Sequence, residues 1–242
     1  MKVFIAGNYA ELSAKAADDL IQLMKINDHP VVCTASGDSP AGMYKLLVEK
    51  FERKELDVSN WQILGLDEWV GLNGDTEGSC RYHLNNQLFN PLQLTSEQIV
   101  FFDGKAADLQ QECEAVETFI QQQGGIDVAI LGLGLNGHIG MNEPGTSAAS
   151  RSHVITLDPI TQKTGQKYFK ERQELTHGIT LGIASLMDAK QIMLLVSGAK
   201  KAAIVKQLLE EEISEKIPGT LLRNHPGLTV YLDKEAASLL AN

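Results

Sequence analysis

Short apolar runs alternate along this chain with longer stretches in which apolar positions recur at helical spacing. That alternation predicts a mostly parallel sheet with helices on both of its faces. The run PVVCTA at 30–35 leads into the polar turn SGDSP at 36–40 and then into a helical stretch to about Phe51. The unit recurs at 61–66, which ends at Asp67 and Glu68, and at 126–131, which ends in the glycine-rich stretch GLGLNGHIGMNEPG at 132–145. A further strand at 192–196 gives way to SGAKK at 197–201, ahead of a helical stretch to about Glu212. In open α/β sheets ligands sit beyond the carboxyl ends of the strands, so these four polar endings are predicted to converge on one site.

From Thr146 to about Ile183 the pattern is less regular, with strand-like pieces at 153–157 and 178–181. This predicts a small lid-like segment or accessory layer over the site. The N-terminal stretch MKVFIAGNYAELSAKAADDL reads as running directly into a helix. No repeat, low-complexity tract or linker divides the chain, so residues 1–242 are expected to form a single doubly wound α/β domain.

Composition narrows the function classes. A hydrophobic content of 43% with 21% charged residues belongs to a folded globular chain. The net charge of -10, from 31 acids against 21 bases without a basic stripe, argues against a nucleic-acid partner. It leaves room for a phosphate, which needs only a few local donors. Cys33, Cys80 and Cys113 form no C-x-x-C pair and have no neighbouring His at metal spacing, which predicts a reduced chain without a cysteine metal site. No signal-like leader and no stretch of ~20 apolar residues is present, so a cytoplasmic location and no membrane partner are expected.

The stretch at 132–145 has the G-x-G-x-x-G spacing of a dinucleotide turn. Such a turn requires its third glycine to open a helix and an acidic residue about 20 positions on, at the end of a second strand. Here Gly140 and Pro144 oppose a helix after Gly137, and 157–159 reads Leu-Asp-Pro, so the nucleotide reading fails. What remains is a turn carrying His138 and Glu143 near Asn136 and Asn142. A histidine with a carboxylate partner suits proton transfer at neutral pH; alternatively, it caps backbone groups in a tight turn. Asp67 with Glu68 after an apolar strand offers a general base, or else a turn or helix-capping acid. Ser36, Gly37, Asp38 and Ser39 precede a helix that Pro40 can start, which makes a phosphate cradle, and Lys201 can add charge there.

Together SGDSP, LDEWVGL at 66–72, the stretch 132–144, ITLGI at 179–183 and GAKK at 198–201 resemble the glucosamine-6-phosphate deaminase/isomerase family over nearly the whole chain. The resemblance is closest to its galactosamine-6-phosphate isomerase/deaminase branch, in which Asn-Gly-His replaces Asp-Gly-His. It implies conversion of a hexosamine 6-phosphate, galactosamine 6-phosphate or glucosamine 6-phosphate, into a ketose 6-phosphate with release of ammonia. The family uses no metal and no organic cofactor. By the same resemblance His138 opens the sugar ring, Glu143 supports His138, and Asp67 moves a proton from C2 to C1. Asn136 stands where most members carry the Asp of that relay. Ser36 to Ser39, Lys167 and Lys201 match the phosphate site, with Lys167 where many members carry Arg, a change that removes the bidentate fork. His153 and Ile155 stand where allosterically activated members carry basic residues, so activation by an N-acetylated sugar phosphate is not expected. Oligomers are compatible with the sequence. Two alternatives are a 6-phosphogluconolactonase-like hydrolase, opposed by Asn142-Glu143-Pro144, and a weakly catalytic sugar-phosphate sensor, opposed by the lack of a DNA-binding module.

Overall fold

A computed structural model describes residues 1–241. The chain opens not with a helix but with β1 (Lys2–Ala6), an edge strand whose outer positions Val3 and Ile5 are exposed. Only then does Asn8 cap α1 (Tyr9–Met24) by accepting from the backbone N–H of Glu11. β2 (Val31–Thr34), α2 (Asp38–Glu52), β3 (Gln62–Gly65), β4 (Asp67–Trp69), α3 (Cys80–Leu84), β5 (Ile99–Val100) and α4 (Leu109–Gln122) follow. β6 (Val128–Gly132) runs into the glycine-rich stretch. The irregular segment holds β7 (His153–Thr156), α5 (Pro159–Gly165), β8 (His177–Thr180) and the start of α6 (Ile183–Met187). β9 (Gln191–Val196), α7 (Ala202–Glu210) and β10 (Leu228–Asp233) complete the order.

Seven strands form one parallel sheet in the order β1-β10-β9-β6-β2-β3-β5. From β2 the chain builds outward through β3 and β5, then returns to the other side of β2 for β6, β9 and β10. The order therefore reverses between β2 and β6, which opens a crevice at their carboxyl ends. Strand side chains alternate between the two faces. Val128 and Ile130 pack with Leu20 of α1 and Met43 of α2, while Ala129 and Leu131 pack with Val116 of α4 and Val205 of α7. With both faces covered, the central strands must be apolar at every position, which is why they read as unbroken runs. Truncating the fully buried Leu131 to alanine would cost about 2–5 kcal/mol.

A second, antiparallel sheet, β4-β8-β7, stands at the carboxyl edge of the first. Leu66 is the junction: its N–H donates to Thr34 O of β2 at 3.1 Å, and its own carbonyl accepts from Leu181 N at 3.0 Å. Asp67 and Glu68 thus do not end a strand of the main sheet; they begin a strand of the second. The irregular segment is an accessory layer built on β4, and it carries α5 to the crevice.

Candidate active site

The loop after β6 is shaped by close backbone approaches. Gly134 N–H donates to His138 O at 2.9 Å and Gly137 N–H to Gly134 O at 3.1 Å, a tight turn with no helix behind it. Gly137 has a φ of 84°, in the left-handed region that favours glycine. The imidazole of His138 lies against Gly134, where a Cβ would come within 2.5 Å of the ring atoms. The glycines that suggest a nucleotide turn therefore make room for a histidine.

His138 Nδ1 lies 3.0 Å from Thr161 Oγ1 of α5 and 3.5 Å from Glu143 Oε2. Glu143 is buried, and its Oε2 accepts from Asn136 Nδ2 at 2.8 Å. Burial pushes the Glu143 carboxyl upward, but the hydrogen bond and charge of His138, with donors on Thr161 and Asn136, hold it below the usual value. Glu143 is thus an anion able to stabilise an imidazolium. Asn136 does not reach the ring. Its amide serves Glu143, and its Oδ1 accepts from the His138 backbone N–H at 3.3 Å.

Asp67 and Glu68 have opposite roles. Glu68 is fully buried, and its carboxylate accepts from three backbone N–H groups, those of Trp69 and Cys80 at 2.9 Å and of Arg81 at 3.0 Å. It fastens the start of α3 and faces no cavity. Asp67 lines the crevice, and burial pushes its carboxyl up to about 7, with the Cys80 thiol pulling down and the Glu68 charge pushing further up. A carboxylate poised near neutrality is a competent general base.

The crevice is a cavity of about 260 Å³, and all four strand endings line it: Ser36 to Ser39 after β2, Asp67 after β3, Gly132 to Leu135 with His138 after β6, and Ser197 with Lys201 after β9. Thr161, Thr164 and Lys167 enter from the accessory segment. At one side α2 presents an N-terminus that no side chain caps, after Gly37 at a φ of 103°. Its free N–H groups and the positive end of the helix dipole suit an anion. Lys201 donates to Leu133 O, and burial together with the neighbouring Lys167 charge lowers it to about 8. Lys167 Nζ pairs with Asp38 Oδ2 at 2.5 Å.

Of the residues singled out from the sequence, Ser36 to Ser39, Asp67, His138, Lys167 and Lys201 line the cavity. Asn136 and Glu143 stand behind His138, Glu68 is taken up by the backbone of α3, and the Asn142 amide donates to Ile139 O and Leu181 O. Sequence reasoning missed Thr161, which is 23 residues from His138 along the chain and meets it only once α5 is in place. It also missed Cys80 and Tyr168, both cavity-lining. Among the described residues no three His, Cys, Asp or Glu side chains gather as a metal site, and no helix is long and apolar enough to cross a membrane.

The family described as glucosamine-6-phosphate isomerases/6-phosphogluconolactonase matches the chain over residues 7–231. A glucosamine-6-phosphate deaminase of Thermoanaerobacter pseudethanolicus is 42% identical over 241 residues, 99% of this chain and 95% of the relative. One from Clostridium perfringens is 37% identical over 99% of this chain and 100% of the relative. A solved structure of a monomeric glucosamine-6-phosphate deaminase, 37% identical, superimposes with a TM-score of 0.96 over 99% of this chain and 100% of that one. A 6-phosphogluconolactonase from Trypanosoma brucei, 20% identical with a TM-score of 0.77 over 99% and 98% of the two chains, shares the fold.

Proposed function

This chain belongs to the family of glucosamine-6-phosphate isomerases and 6-phosphogluconolactonases, and from that premise we propose that it converts a hexosamine 6-phosphate and water into a ketose 6-phosphate and ammonia. The observation that carries the reading is the meeting, in one cavity, of a buried carboxyl poised near neutrality with a carboxylate-backed histidine, beside a cationic pocket at a helix N-terminus.

The chemistry needs two proton-transfer groups. His138 passes a proton to the ring oxygen as the pyranose opens, and Glu143 stabilises the charged imidazole in that exchange. The aldehyde so formed acidifies the proton on C2. Asp67 removes it while the carbonyl oxygen is protonated, giving an enolamine, and then returns a proton to C1. The resulting C2 iminium adds water and expels ammonia. The N-terminus of α2, Lys201 and Lys167 hold the 6-phosphate and so fix C2 relative to Asp67.

Glucosamine 6-phosphate is the first choice of substrate, since it stands in the names of the relatives at 37–42% identity. Galactosamine 6-phosphate is the second; it rests on the Asn-Gly-His resemblance, not on a contact of Asn136 with the sugar. Three free, buried cysteines fit a reducing cytoplasm. A lactonase would require no base for C2, so the poised Asp67 speaks against it. The test measures ammonia release from both amino-sugar phosphates side by side, with Asp67→Asn as the inactive control and 6-phosphogluconolactone as the competing substrate. Release from at least one, lost in Asp67→Asn, is expected; silence on both, or turnover of the lactone alone, would overturn the reading.

A further inference from the structure

Asp38 stands in the phosphate cradle with the wrong sign of charge. It is the first residue of α2, it lines the cavity, and its carboxylate takes Lys167 Nζ at 2.5 Å. Lys167 is the cation that α5 and the turn after it bring to this side of the crevice, and Tyr168 beside it presents its ring 4.6 Å from the same Nζ. Lys201, the other cation, has its proton affinity lowered first by burial and then by Lys167, while Asp38 raises it. Three charges therefore face one compartment, and one of the two positive ones already has a carboxylate on it.

We infer that Asp38 is an internal competitor of the substrate's phosphate, one that must leave Lys167 when the phosphate docks. This rests on the phosphate-site reading above and deepens it. The side chains of Asp38 and Lys167 are 76% and 47% exposed, so the pair is solvent-screened and readily exchanged. The backbone N–H groups at the start of α2 bind an anion whether or not Asp38 has moved, but a phosphate held there meets Lys167 fully only after the carboxylate swings away. Binding is thus an exchange of one ion pair for another. The opposite role is equally concrete: if Asp38 serves to hold Lys167 in place, removing it weakens phosphate binding.

The experiment is calorimetric titration of inorganic phosphate into the wild-type chain, Asp38→Asn, Lys167→Ala and the double variant, at several salt concentrations. Ammonia release by the wild-type chain is assayed in parallel. Asp38→Asn is expected to bind phosphate about three- to tenfold more tightly and to show a steeper loss of affinity with salt, because association no longer releases a screened internal pair. In the Lys167→Ala background the gain from Asp38→Asn should shrink. Weaker or unchanged binding in Asp38→Asn would overturn the proposal, as would a gain of equal size in both backgrounds, which would assign Asp38 a through-space repulsion instead. Deaminase failure with intact phosphate exchange would refute the functional reading and leave this inference standing.

Discussion

Thr161 Oγ1 lies 3.0 Å from His138 Nδ1, closer than the 3.5 Å that separates the same nitrogen from Glu143 Oε2. A hydroxyl both donates and accepts, so it can take the Nδ1 proton as a hydrogen bond and pass its own to the carboxylate. The accessory segment thereby helps to orient the histidine. Thr161→Val keeps the shape and removes the hydroxyl; kcat/KM should fall by about ten- to a hundredfold, with most of it regained in Thr161→Ser. Initial rates of ammonia release across pH 5–9, beside thermal melts, separate this from simple unfolding. Equal rates in the valine and serine variants would assign Thr161 to packing alone.

In the proposed reaction Asp67 sets the acid side of the pH profile. Its carboxyl titrates at about 7 because burial disfavours the anion, and abstraction at C2 requires the anion. Activity should therefore rise with pH through about 7, and Asp67→Asn should lose about 10³-fold in rate. Stability should move the other way. Between an aspartate's ordinary value and about 7 the unfolded chain has lost a proton that the folded chain keeps, so stability falls as pH rises across that window and stays low above it. Asp67→Asn should melt several degrees higher than wild type at pH 8, the difference vanishing near pH 4. Scanning calorimetry at the two pH values measures it.

The central strands and their polar endings were legible because a sheet covered on both faces leaves unbroken apolar runs that stop where the crevice begins. β1 escaped because an edge strand with exposed Val3 and Ile5 lacks that signature and is followed at once by a helical pattern. Asp67 and Glu68 looked alike as neighbours. Only β4 in a separate sheet turns one into the cavity and the other onto the backbone of α3. Thr161 was hidden for another reason, since no local pattern connects a threonine in one helix with a histidine in a distant turn.

Gly134 supplies the space in which the imidazole of His138 sits. Its replacement by alanine would set a Cβ within 2.5 Å of the ring atoms, so the ring must shift while the main chain, with no left-handed demand at this position, holds. Gly134→Ala should lower kcat by about a hundredfold, with KM changed much less because the phosphate cradle belongs to other strand endings. Steady-state kinetics with the preferred amino-sugar phosphate decide it. A loss confined to KM would show that the ring is free to move without penalty.

Asn136 bears on His138 through the Glu143 carboxylate and the His138 backbone N–H, not through the ring, and that indirect position governs what its replacement does. Its Nδ2 donates to Glu143 Oε2 at 2.8 Å, one of the contacts that hold the Glu143 carboxyl below its usual range. In Asn136→Asp a second carboxylate takes the donor's place at the same separation, and two like charges so close cannot both ionise without cost, so the pair titrates as a unit. The acid limb of the rate profile should become steeper, approaching the dependence of two protons rather than one, and activity below neutrality should drop. Because both epimers at C4 present the same ring oxygen to His138, the ratio of rates on galactosamine and glucosamine 6-phosphate should change by less than about twofold. A larger change in that ratio would tie the choice of epimer to the charge behind the histidine rather than to the cavity wall.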